Sequence, residues 1–271
     1  MRRQPQDLIN TAQVEAWPGG LLRAHDRHQA RTLARAGRVL RRKRDGRYLA
    51  AELPGGMVGL LPHWRREPGV DGAINQLRAL AAGGWHRPLA YAHLPLQGLE
   101  TRLAQLGIDA GAYALRTGLD LVAEPARLAF AGLDRYRRAL WLRSDAAAGW
   151  HRLREAARRD GVALEAISGY RSHDYQLGIF ARKRARGQQV EEILRVNAAP
   201  GYSEHHSGLA LDIGTPGEPP AEQSFERTPA FAWLRDNAAG HGFHMSYPRD
   251  NPHGIVYEPW HWRFHPAPAG P

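Results

Sequence analysis

The chain has 271 residues, with 37 Lys and Arg against 27 Asp and Glu, a net charge of +10 and no Cys. Its length suffices for one large domain or two small ones, and a hydrophobic content of 43% with 24% charged residues excludes wholesale disorder. The lack of Cys excludes a disulfide scaffold, a thiolate zinc finger, an iron–sulfur cluster and a cysteine nucleophile, so any metal must be held by His, Asp or Glu.

The first residues carry Arg2 and Arg3 but no apolar run behind them, unlike a secretory leader. No stretch approaches the ~20 apolar residues of a membrane span. The expectation is a cytoplasmic protein, or a periplasmic one if the natural chain is longer at this end. The positive charge favours anionic partners: nucleic acid, a membrane surface or a carboxylate-rich substrate.

Residues 1–120 read as one region of mixed helix and strand. Asp26–Leu40 has a helical pattern of Ala and Leu against Arg. Asp45-Gly46 marks a tight turn between short strands. The run Arg41–Arg44 is expected to form a solvated face. Ile74–Ala82 and Leu99–Leu106 are predicted helices, the second ended by Gly107. From about Leu121 the composition changes, and residues 121–271 read as a second domain. Ala146–Asp160 is a strongly amphipathic helix with a stripe of Trp150, Leu153 and Ala157. Val162–Ile167 is a strand candidate, followed by helices over Asp174–Arg186 and Glu191–Val196. A further helix spans Pro229–Ala239, and strands are expected around His241–Tyr247 and Gly254–Phe264. Helices followed by clustered short strands predict an α+β fold with a small antiparallel sheet.

Two clusters carry chemistry. In Ser203–Asp212 (SEHHSGLALD), a strand over Leu209–Ile213 places Ala210 and Asp212 on one face, and Gly208 allows His205 to fold back toward Asp212. An Asp among apolar residues is costly unless it is paired or bound to metal. In Glu258–Trp262 (EPWHW), Glu258 and His261 point to opposite faces of a regular strand, so a shared site requires a turn at Pro259. His205, Asp212 and His261 then supply two imidazoles and one carboxylate to a catalytic zinc ion (Zn2+), and Glu258 remains as the unligated general base.

In their order and spacing these clusters resemble the VanY-type D-alanyl-D-alanine carboxypeptidases, through SEHHSGLALD and EPWH. SGYRSHDYQ (Ser168–Gln176) is similar to the family's upstream substrate segment, and GFHMSYP (Gly242–Pro248) to the strand before the last motif. The resemblance covers about residues 121–265. It implies the small antiparallel sheet shared with lysostaphin and the hedgehog N-domain, flanked by helices. It also implies zinc on His205, Asp212 and His261, with Glu258 as base and later proton donor. Arg171, Gln176 and Ser203 are implied to hold the substrate, and Trp260 to wall the pocket. His206 reads as a loop residue, with a hydrogen-bond donor behind the ligands as the alternative.

The implied reaction removes a terminal D-alanine from peptidoglycan stem peptides or muropeptides. Either D,D- or L,D-cleavage fits, with L,D favoured for cytoplasmic recycling. Three alternatives stand beside it: an endopeptidase, a basic nucleic-acid-binding protein with an accessory zinc domain, and an inactive zinc domain that binds protein. Tyr48 is almost the sole aromatic near the basic run, which argues against single-strand binding. Glu258 argues against the inactive domain.

Overall fold

The computed structural model describes residues 7–82, 92–96 and 98–266. Two compact units emerge: one formed by the chain up to Pro95 with Pro125–Phe130, the other by Leu96–Glu124 and the chain from Ala131 onward.

In the first unit, β1 (Asp7–Asn10), β2 (Val14–Pro18), β3 (Arg38–Arg42), β4 (Tyr48–Leu53) and β5 (Gly56–Gly59) form an antiparallel sheet in the order β5-β4-β3-β2-β1. The first residues of β6 (Arg127–Leu133) pair with β1. Helix α1 (Arg27–Leu33) is capped by Asp26, whose carboxylate accepts from the Gln29 N–H at 2.7 Å. The helix expected over Asp26–Leu40 therefore stops early. Beyond Gly37, the Arg38–Leu40 backbone is taken by β3, which pairs with strands on both sides. Helix α2 (Val70–Ala81) buries Val70, Ala73, Ile74 and Leu77 against Ile9, Leu40 and Leu49.

Of the run Arg41–Arg44, only Arg44 is the solvated side chain expected. Arg41 pairs with Glu15 at 2.7 Å, Arg42 with Asp45 and Glu67 at 2.5 Å each, and Arg44 with Glu67 at 3.4 Å. Lys43 is buried. Three acids, Glu15, Asp45 and Glu67, face the four cations of the run, and two of them lie outside its local sequence.

The second unit contains α3 (Leu99–Gln105), α4 (Ala110–Thr117), β7 (Ala139–Leu142), α5 (Ser144–Arg159), β8 (Glu165–Ser168), α6 (His173–Ala185), α7 (Val190–Arg195), β9 (Ala210–Gly214), α8 (Pro229–Asn237), β10 (Phe243–Met245) and β11 (His261–Phe264). Its four-stranded antiparallel sheet runs β10-β11-β9-β8, which gives the α+β class expected. Helix α5 buries Trp150, Leu153 and Ala157; each large apolar side chain so buried contributes about 1.5–3 kcal/mol. Gly149 is needed for this approach, since a Cβ there would lie 2.6 Å from the Phe264 ring.

The strand expected over Gly254–Phe264 shortens to β11, because Glu258–Trp260 turns before His261. Helix α4 was absent from the predicted elements, although Asp109 caps its N-terminus and Gly118, at φ 62°, ends it.

The expected boundary at 120/121 falls inside the second unit. Leu99, Leu103 and Tyr113 from α3 and α4 share one apolar cluster with Phe180, Ile193, Tyr202 and Tyr247. Among the described residues, no helix is long and apolar enough to cross a membrane.

This packing makes α3 part of the second unit's stability. Leu103→Ala, at a position without exposure, should cost about 2–5 kcal/mol. Leu115→Ala, at a position 89% exposed on α4, should stay within about 0.5 kcal/mol. Denaturant unfolding of both variants measures this; equal effects would contradict the assignment of α3 to this core.

Candidate active site

Asp212 and His261 come together through strand register. On the antiparallel pair β9–β11 they lie directly opposite, so their side chains leave the sheet on one face. His261 Nδ1 stands 3.2 Å from Asp212 Oδ1. His205 arrives from a 3-10 turn over Glu204–Ser207, and Gly208, at φ 68°, redirects the chain into β9. His205 Nε2 lies 3.3 Å from Asp212 Oδ1, and the two imidazoles stack edge to face with centroids 4.9 Å apart. All three residues are buried.

The hydrogen bonds of these imidazoles leave the right atoms available for a cation. His205 Nδ1 donates to the Gly169 carbonyl at 2.7 Å, which turns the lone pair of Nε2 inward. That Nε2 is buried and has no hydrogen-bond partner. His261 Nε2 is engaged by Glu204 Oε2 at 2.8 Å, leaving Nδ1 toward the site. One donor atom from each of His205, Asp212 and His261 lies within 4.8 Å of the others. An orphaned buried imidazole nitrogen beside a carboxylate and a second imidazole fits a divalent metal.

Electrostatics readies His205 and Asp212 as ligands, whereas His261 must first give up a proton. Burial, reinforced by Arg171, pushes His205 down to about 4, so it is a neutral imidazole at pH 7. Burial would raise Asp212, but His205, His261 and Arg171 outweigh it and hold the carboxyl well below its ordinary range. Burial would lower His261, but the carboxylates of Asp212 and Glu204 prevail and push it up to about 10.

Glu258 reaches this group because the chain turns at Pro259. The His261 N–H donates to the Glu258 carbonyl at 3.1 Å, and Trp262 Nε1–H to the Pro259 carbonyl at 3.0 Å. The Glu258 N–H is in turn held by the Tyr247 carbonyl at 3.0 Å. The carboxylate ends 3.7 Å from His261 Nδ1. Burial pushes it up to about 7; Asp212 and Glu204 raise it further, while His261 and Arg171 pull it down.

Arg171, Gln176, Ser203 and Trp260 lie in two adjoining hollows that share Arg171 and Glu258: Gln176 and Ser203 line one, Trp260 the other. Arg171 donates from Nη2 to Asp212 Oδ2 at 2.9 Å, so it steadies the carboxylate as well as facing the cleft. Gln176, on α6, donates to the Ala198 carbonyl at 3.0 Å and keeps a buried Oε1 without a partner.

His206 is not the loop residue expected. It is fully buried, accepts from the Gly201 N–H at 3.0 Å through Nε2, and donates from Nδ1 to the Arg171 carbonyl at 2.6 Å. Gly201 is required here: its φ is 91°, and a Cβ would meet Leu99 at 2.3 Å. Behind this pair His173 stacks edge to face on His206, and the His173 N–H donates to Glu124 Oε1 at 2.8 Å. The network fixes the backbone of Arg171. Its one sequence signal was a second His beside a motif His.

Comparison with known proteins bears on the same segment. Residues 139–267 match the family model VanY, described as D-alanyl-D-alanine carboxypeptidase. The chain is 37% identical over 134 residues to YodJ of Bacillus subtilis, covering 46% of each chain. It is 39% identical over 100 residues to a D-alanyl-D-alanine carboxypeptidase of Enterococcus faecium, covering 36% of this chain and 28% of that one. The matches thus span less than half the length of these relatives. A solved LdcB LD-carboxypeptidase shares 32% identity over 49% of this chain and 64% of its own, with a TM-score of 0.46. Residues 139–267, which hold the buried His–Asp–His group and Glu258, are thus similar to the VanY family of D-alanyl-D-alanine carboxypeptidases.

Proposed function

We propose that the second unit is a zinc-dependent carboxypeptidase that removes a terminal D-alanine from peptidoglycan stem peptides. The observation that carries this is Glu258: a half-buried carboxylate 3.7 Å from His261 Nδ1, outside the His205–Asp212–His261 group, in a cleft shared with Arg171. Two imidazoles and one carboxylate are a donor set of catalytic zinc, which keeps a further position open. A zinc ion held there supplies a Lewis acid that polarises the scissile carbonyl and acidifies water. Glu258 accepts the proton of the attacking water and returns it to the departing D-alanine amine. In the metal-free protein burial raises this carboxyl, which favours its taking up a proton, as both transfers require.

The guanidinium of Arg171 carries charge-assisted donors for the developing oxyanion or the terminal carboxylate. The unpartnered Oε1 of Gln176 is an acceptor for a substrate N–H, and Ser203 adds a hydroxyl on the same wall. The names of the relatives support this substrate class.

Two measurements test the reading. At pH 6 His261 carries a proton in the metal-free protein, and ligation requires the neutral imidazole. Zinc uptake at that pH should therefore release at least about one proton per ion, and affinity should fall as pH is lowered. Calorimetry in buffers of different ionisation enthalpy reads the number; uptake without proton release excludes His261 as a ligand in this state.

The second test concerns the base and the bond cut. Glu258→Gln should retain zinc and lose D-alanine release by about 10²–10⁴-fold. Wild type should discriminate against a peptide whose terminal carboxylate is amidated. Undiminished turnover in the folded, zinc-loaded variant contradicts the mechanism, and equal cleavage of acid and amide makes it an endopeptidase.

A further inference from the structure

The motif residue Glu204 has no part in the chemistry above, yet its carboxylate is among the most constrained in the protein. It is buried to 9% exposure. Oε2 stands 2.8 Å from His261 Nε2 and accepts from the Ser246 hydroxyl at 2.6 Å. Oε1 accepts from Arg263 Nη1 at 3.0 Å. Three groups from β11 and from just beyond β10 thus converge on one side chain.

Strand parity explains the convergence. His261 and Arg263 are two apart on β11, so both leave the sheet on the same side. Arg263 compensates the carboxylate's charge and, with Ser246, fixes its position. The second oxygen is thereby aimed at the ring nitrogen of His261 that faces away from Asp212. Glu204 is also the first residue of the 3-10 turn that carries His205. One short turn therefore supplies one imidazole of the group and the clamp on the other.

We propose that Glu204 is a positioning residue for the metal centre: its carboxylate holds the Nε2–H of His261, fixes the ring's tautomer and orientation, and strengthens Nδ1 as a donor to the ion. This rests on the zinc reading above. Outer carboxylates of this kind typically change metal affinity by about 10–100-fold. Ser246 and Arg263 act through Glu204, so their effects are smaller and depend on it.

The test is a competition titration of zinc against a chelator for wild type, Glu204→Gln, Glu204→Ala and Ser246→Ala, with His205→Ala as the ligand control. Thermal unfolding of the metal-free proteins runs in parallel. Glu204→Gln keeps the side chain's shape and an acceptor oxygen but loses the charge. Its metal-free fold should survive, while zinc affinity falls about 10-fold, toward the low end of the range for such partners. Glu204→Ala should fall further, up to about 100-fold, and Ser246→Ala less than either. The His261 Nε2–H resonance of the zinc-loaded protein, sheltered in wild type, should exchange faster with water in Glu204→Ala. Wild-type zinc affinity in both Glu204 variants, with His205→Ala losing zinc, overturns the positioning role and leaves the metal site standing. A lowered melting temperature with unchanged affinity overturns it equally, because the carboxylate is then only a packing element. Full zinc retention by His205→Ala overturns this proposal together with the metal assignment beneath it.

Discussion

The register of β9 against β11 is the constraint on which the rest of the site depends. Pairing Asp212 with His261 puts a carboxylate and an imidazole opposite each other on one face. A slip of one residue would replace them by apolar neighbours such as Leu211 and Trp262. The register is secured by what those neighbours bury. Leu211 and Ile213 are without exposure, Trp262 is nearly so, and Phe264 packs on Phe243. Apolar packing on one face thus determines the polar geometry on the other.

Around this pair, three irregular segments do what regular strands cannot. The 3-10 turn before Gly208 brings His205 back over the sheet. The turn at Pro259 puts Glu258 on the side of His261, against strand alternation. The Gly169–Arg171 segment supplies a carbonyl for His205 and a guanidinium for Asp212. Each is tied by a bond that names its partner: His206 to the Arg171 carbonyl, Trp262 to the Pro259 carbonyl, Tyr247 to the Glu258 N–H. The buried charges are tolerated because each has a counterpart: Asp212 with Arg171 and both imidazoles, Glu204 with Arg263 and His261. Glu258 lacks such a close cation bond, which is why burial dominates it and drives its pKa upward.

What was legible in the sequence followed from local signals. The stripe of α5, the Asp45-Gly46 turn, and an Asp set among Leu209, Leu211 and Ile213 each have a physical cause within a few residues. The need for a turn at Pro259 followed from parity alone. What escaped depends on distant partners. Arg41 and Arg42 read as solvated because Glu15 and Glu67 lie far away in the chain. Leu99–Thr117 read as belonging to the first half because its contacts, Phe180 and Tyr247, come later. Burial of His206 depends on Gly201 and on the carbonyl of Arg171, a placement that spacing does not encode. Helix α4 was missed although its caps were in plain view at Asp109 and Gly118.

The central claim is that one ion is held by Nε2 of His205, a carboxylate oxygen of Asp212 and Nδ1 of His261, with Glu258 beside it and unligated. Anomalous diffraction at the zinc edge from crystals of the zinc-loaded full chain tests this most directly. The account predicts a single peak bonded to those three atoms, at about 2.0–2.2 Å from each, with Glu204 still on the opposite nitrogen of His261. A peak ligated by Glu258 or Glu204, or located away from β9 and β11, would contradict it.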